Sequence, residues 1–266
     1  MKVKGINFSY NCSKGSKNSR IKAMEEIRTA VYENVIKEFS RPRSANSTYK
    51  KEYIPISKLT SLLKEKFPEP INFVVKKIQT CRKKSYDGVV LSCIRNGLTK
   101  YYKMEVSAEK NLLPIYQLPT LLHETTHLLD FALQPQYRAV NEKLAQKGLL
   151  DKVCDFYSKN LYSSEKVSKH KIGKRIKNFT ENMPVEDKLL TLNFFKLHME
   201  TEIRAYGASK QYTKKISPWN GKRFEYYNDL YKSYQFERNL KIIKDLKKDI
   251  IKNERNKIKK SLNLNA

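Results

Sequence analysis

The segment that most constrains this chain is Leu121-Leu122-His123-Glu124-Thr125-Thr126-His127-Leu128-Leu129-Asp130. Its apolar residues recur at helical spacing, continuing through Phe131 and Leu133, so the segment is expected to be a helix with an apolar surround. Pro119 suits its first turn, and Pro135 marks its end. Histidines at i and i+4 project one turn apart from one face, so their ring nitrogens can converge on a single ion. Glu124 leans towards the same space without lying between the two rings, so it is placed to hold a water rather than to ligate. With four His and 19 Glu in 266 residues, chance produces this spacing on the order of a few times in a thousand such chains.

The rest of the sequence places that helix in an α+β, mostly helical chain with a small antiparallel sheet packed on the helix. The segments 71–78, 88–96 and 98–106 are rich in Val, Ile and Tyr and bounded by turn residues, and are expected to be strands. Asn96-Gly97 supplies the two residues that tolerate positive φ in a hairpin turn. Ile21, Met24, Ile27, Val31, Val35 and Phe39 predict an amphipathic helix over 21–39, and Ser57 is an expected N-cap for a short helix ending before Pro68. After the histidine-bearing helix, helices are expected at 138–147, with Gly148 as C-cap, and at 149–159. Residues 160–180 are expected to be a basic, polar connection. Helical patterns return over 185–213 and about 222–260. The expected organisation is a basic arm (1–20), a main domain (21–213), and a basic helical extension packed on or appended to it (214–266).

The motif and its helix resemble the zincin metallopeptidases, whose active helix carries two zinc-binding histidines and a glutamate base beneath a strand that holds extended substrate. The resemblance implies Zn²⁺ as cofactor, His123 and His127 as ligands, and Glu124 as general base. It also calls for a third protein ligand, leaving the fourth position open. No His-x-x-Gly-x-x-His follows the motif, and Asp130 is too near along the same helix to complete the set. The segment Leu197-His198-Met199-Glu200-Thr201-Glu202-Ile203-Arg204-Ala205-Tyr206 looks like the third-ligand helix of glutamate zincins, a group that includes the lethal-factor-type bacterial toxins. There a Glu is followed three residues later by a small residue that lets the helix approach the metal. The ligand role therefore falls on Glu202, with Ala205 at the right offset, and Glu200 is the alternative; two residues apart on a helix, the two do not share a face. The 75 positions between His127 and Glu202 imply an inserted helical segment at roughly 138–180. His198 and Tyr206, one turn to either side of Glu202, are candidate donors to a developing oxyanion, and His198 is also an alternative ligand or a partner of Glu202. Asp130 is a candidate to orient His127. The implied reaction is peptide hydrolysis with Glu124 moving the proton, on an extended protein substrate.

Charge supports a second, different expectation. Lys and Arg number 54 against 27 Asp and Glu, a net +27, and residues 207–266 hold 16 against 6, a net +10. Tyr226, Tyr227, Tyr231 and Tyr234 lie among those basic residues. This is what a nucleic-acid-binding protein without hydrolytic activity would carry. A lysine-rich composition also follows from an AT-rich genome, and Ile242, Ile243, Leu246 and Ile250 suggest a packed helix with a solvated basic face. Cys12, Cys81, Cys93 and Cys154 form no Cys-x-x-Cys pair, so reduced, structural thiols are expected. No apolar run is long enough to span a bilayer, and the amino terminus has no apolar core of a secretory signal. The expectation is therefore a protease in the cytoplasm of the producing cell, either of its own housekeeping or an effector delivered into a host.

Overall fold

The computed structural model describes residues 73–79, 88–108, 118–162, 167–216 and 231–263, together with five positions between 22 and 33. Those five, Lys22, Glu25, Glu26, Thr29 and Glu33, are helical and exposed. Their spacing is that of the polar face of the amphipathic helix expected over 21–39. The expected arm (1–20), the short helix at 57–67, Cys12 and Cys81 lie outside the described residues.

Three strands come first: β1 (Phe73–Gln79), β2 (Gly88–Arg95) and β3 (Leu98–Ala108). They form one sheet in the order β1-β3-β2. The β2–β3 hairpin is antiparallel, and its turn uses Asn96 (φ 52°) and Gly97 (φ 72°) as the dipeptide predicted. A register shift at Cys93/Ile94 bends β2. The difference from expectation is β1, which pairs with β3 in parallel, Phe73 opposite Tyr102 and Gln79 opposite Ala108. The sheet is therefore mixed: the hairpin is antiparallel and the remaining pair is not. A hairpin turn fixes the direction of its own two strands, whereas nothing local fixes the direction of a strand that joins the far side.

Helix α1 (Leu118–Leu133) packs against β2 and β3. Tyr102 and Met104, two apart on β3 and so on one face of the sheet, are 3% and 0% exposed. The Tyr102 hydroxyl donates to the Phe131 carbonyl at 2.9 Å, tying that face to the last turn of α1. α1 is buried on every side: all ten residues from Leu122 to Phe131 are buried. These elements belong to a first compact unit, comprising residues 1–138 and 207–220.

A second unit comprises residues 139–206 and 221–266. Helices α2 (Pro135–Gln146), α3 (Leu150–Asn160), α4 (Lys169–Thr180), α5 (Val185–Ile216) and α6 (Phe236–Asn263) follow along the chain. α5 passes from this unit into the first at Tyr206–Gly207. The core of the second unit is aromatic and aliphatic: Tyr157, Phe194 and Phe195 meet Ile172, Ile176, Phe236, Ile242 and Ile243. Asn239, buried on α6, donates to the Leu161 carbonyl at 3.5 Å. Within this unit the carboxy-terminal helix is thus part of the core and not a loose tail. No helix among the described residues is long and apolar enough to cross a membrane.

Helix α4 corrects the expectation of a basic connection over 160–180. Ser168 caps it, accepting from the Lys171 amide at 3.3 Å. Ile172, Ile176 and Thr180 form its buried stripe. Five Lys and Arg in twelve residues hide that stripe in the sequence, yet a helix needs only one apolar line to dock.

Gly148 ends α2 as the sequence predicts. Its amide donates to the Ala145 carbonyl (3.0 Å), and the Leu149 amide reaches back to the Leu144 carbonyl (2.9 Å). This is the two-bond Schellman closure, with Gly148 at φ +66°. A Cβ there meets nothing within 4 Å, so the penalty for a side chain is conformational alone. Gly148→Ala is expected to destabilise the protein by about 1–2 kcal/mol, read as a lower midpoint in urea with an unchanged slope.

Candidate metal site

The buried stretch of α1 carries the motif. His123 and His127 are each 7% exposed and Glu124 is 6% exposed. Burial of so many polar groups costs free energy unless they are satisfied by one another or by a ligand. The helix meets part of that cost locally. The Thr126 hydroxyl donates to the Leu122 carbonyl at 2.8 Å, and Asp130 accepts from the Gln134 side chain at 2.8 Å. The two histidine rings lie 4.6 Å apart at 76°, and their Nε2 atoms are 2.9 Å from each other. One nitrogen must then carry the proton that the other accepts. Two nitrogens each about 2.0–2.1 Å from a tetrahedral Zn²⁺ lie about 3.3 Å apart, so a parting of a few tenths of an ångström fits the pair to an ion. The His127 ring stacks on Phe131 (6.1 Å), which limits its swing.

Glu202 is 8% exposed on α5. His123, His127 and Glu202 each offer a ligand atom, and these three atoms all lie within 4.8 Å of one another. The group is buried and could hold a metal ion. Two imidazoles and one carboxylate form a set suited to a borderline divalent cation with a position left open. Ala205, the small residue three positions on, is fully buried.

Glu200 takes the other direction. It lies 3.8 Å from the Lys196 ammonium and 3.5 Å from that of Lys244, with its side chain 24% exposed. Two residues of helix turn the side chain by about 200°, which separates the buried carboxylate from the one paired with lysines.

His198 and Tyr206 lie outside the group of three. The His198 ring rests 4.0 Å from Phe194 and 5.5 Å from Tyr157, inside the aromatic core of the second unit. Tyr206 is 7% exposed and packs against Tyr231 (5.3 Å) and Phe236 (5.8 Å). Asp130 is fully buried on α1, one turn after His127, with Gln134 as a partner. One neighbour of the site was missing from the sequence reading. Tyr162 is a neighbour of Glu202 and Tyr206, and burial pushes its phenol well above the ordinary tyrosine range, with the Glu202 charge adding to the rise. It is one of 17 tyrosines in an irregular segment, and no local pattern distinguishes it.

The geometry separates the two glutamates by experiment. In a competition titration with a chromogenic Zn²⁺ chelator, Glu202→Ala is expected to weaken binding by at least about 10–100-fold, the range already seen on loss of a ligand's hydrogen-bond partner. Glu200→Ala should stay within a few-fold of the parent, with circular dichroism confirming that both variants fold. Strong loss in Glu200→Ala alone would move the ligand by two residues. Strong loss only in His198→Ala would make the site a three-histidine one.

No protein-family model, curated protein or solved structure matches the chain.

Proposed function

We propose that this chain is a zinc-dependent endopeptidase acting on a protein substrate inside a cell. The observation that carries the proposal is the convergence of His123, His127 and Glu202 within 4.8 Å in a buried setting, the two histidines on a helix that also buries Glu124. A histidine–histidine–carboxylate set with a further glutamate beside it is the composition of a hydrolytic zinc site. Bound there, Zn²⁺ would supply Lewis acidity towards a carbonyl and bring the pKa of a water near neutrality.

The other steps belong to the chain. His123 and His127 hold neutral imidazoles towards one point from successive turns of α1. Glu202 brings the single negative charge. Glu124, adjacent to His123 but outside the ligand set, takes the proton from the attacking water and delivers it to the leaving amine. Tyr206, a neighbour of Tyr162, is the phenol proposed to donate to the oxyanion, with His198 as the second candidate. Among the described residues β3 has partners on both sides, while β2 has one neighbour and so an open edge. β2 packs against α1, so an extended peptide added to its outer edge would be held by main-chain hydrogen bonds beside the motif helix. Leu91 and Leu98, 44% and 45% exposed on this hairpin, offer apolar contact for alternate side chains.

A nucleic-acid-binding protein without hydrolytic activity would leave these buried ionisable groups with no use, although their desolvation is costly. That cost favours the enzyme reading. Both cellular settings, a housekeeping protease and an effector delivered into a host, fit this chemistry equally.

The test is Glu124→Gln. Cleavage of a casein or peptide-library substrate should fall by at least 10²-fold, the lower end of general-base contributions, while one zinc per chain remains by elemental analysis. A Gln variant that loses zinc as fully as His127→Ala would overturn the role given to Glu124. Parent protein that holds no zinc would overturn the proposal itself.

A further inference from the structure

The second unit carries a groove of its own, remote along the sequence from the motif. Four lysines line it: Lys188 from the first turns of α5, and Lys257, Lys259 and Lys260 from the end of α6, with the side chains of Asn253 and Asn256 between them. Val185 and Ile250 are its apolar lining. Its one acidic lining residue, Glu254, pairs with Lys257 at 2.7 Å across an exposed i,i+3 step, an attachment of small free energy.

The charge is concentrated where α6 has finished its structural work. Its core residues are Phe236, Ile242 and Ile243, with Leu246 and Ile250 packed beside them. From Lys252 to Lys260 every residue but Glu254 is exposed. That stretch holds Lys252, Arg255, Lys257, Lys259 and Lys260 against one acid, a local net of +4. A helix end gains only a few tenths of a kcal/mol from each exposed i,i+3 or i,i+4 pair, and like charges at that spacing offset it.

We propose that this groove is a docking site for the phosphate backbone of a nucleic acid, independent of sequence. Asn253 to Lys260 spans about 10 Å along the helix axis, matching about three phosphates of one strand. Lysine ammoniums on long stems neutralise such a chain without fixed geometry, and asparagine amides donate to phosphate oxygens. A membrane surface fits less well. Ile258 is the one large apolar side chain exposed among the described residues of this unit, whereas an interfacial helix needs an apolar face. A folded protein partner would want an apolar centre inside the polar rim, and Val185 and Ile250 are too small a patch for one.

The experiment is fluorescence anisotropy with a labelled 20-base-pair mixed-sequence DNA duplex and the full chain, between 50 and 200 mM NaCl. Four lysines predict a log–log salt slope of about −3 to −4. The groove variant Lys257→Glu/Lys259→Glu/Lys260→Glu should lose at least about tenfold in affinity at 100 mM and flatten the slope by about 3. The control, Lys152→Glu/Lys169→Glu/Lys174→Glu, makes the same change of net charge at exposed positions of the same unit and should stay within about threefold of the parent. Equal losses in both variants would reduce the attraction to total charge and overturn the site. So would an absence of duplex binding at 50 mM. Phosphatidylserine vesicles or polyglutamate bound more tightly than the duplex, with the same groove dependence, would assign the surface to another partner. Zinc content is unaffected in every arm, so the result stands apart from the fate of the peptidase reading.

Discussion

Helix α1 is held to one condition: it is buried along ten consecutive positions, and six of those ten are polar or ionisable. An all-round buried helix is ordinarily apolar throughout. Here His123, Glu124, Thr125, Thr126, His127 and Asp130 share the interior with Leu122, Leu128, Leu129 and Phe131. Thr126 and Asp130 have routes along the helix itself, to Leu122 and Gln134. The histidines meet each other. Glu202, from another helix, brings a carboxylate to the same place. Once these groups leave water, their placement is no longer free, because each misdirected one costs roughly 1–3 kcal/mol. The sheet contributes by fixing α1 at its last turn, through Tyr102 and the Phe131 carbonyl.

How much of this was legible depended on whether the signal was local. Asn96-Gly97, Gly148 and the i,i+4 histidines are decided by a few adjacent residues, and the backbone adopts in each case what those residues favour. Helix α4 was not legible because its lysines outnumber its apolar residues, although Ile172 and Ile176 alone suffice to dock it. The parallel pairing of β1 was not legible because it depends on a partner some 30 residues away. At the site, the histidine pair follows from helix geometry within one segment. Glu202 was reached only through a resemblance in its own segment, Glu followed three residues on by Ala. Tyr162 has no such pattern; its place beside Glu202 and Tyr206 is a product of packing.

The positive charge divides in the same way between what the fold uses and what it leaves over. On α4 and the first half of α6 the lysines alternate with buried isoleucines, and the Gly173 position comes within contact distance of Ile242. Their charge is the solvated side of an amphipathic pair, and their stems cover apolar surface. Lys244 and Lys196 also have work, as neighbours of Glu200. Beyond Ile250 the packing lapses and the charge does not.

The two glutamates of α5 show how little sequence distance separates structural from chemical use. Glu200 and Glu202 differ by one intervening threonine, which is itself fully buried. The helix sends Glu200 to the lysines at the surface of the second unit, where solvent screens the pairs and each is worth about 1 kcal/mol or less. It sends Glu202 to a buried position, where an uncompensated charge would cost several kcal/mol. A buried carboxylate is retained at such a cost only when its surroundings answer it, and ring nitrogens of His123 and His127 lie within 4.8 Å of it.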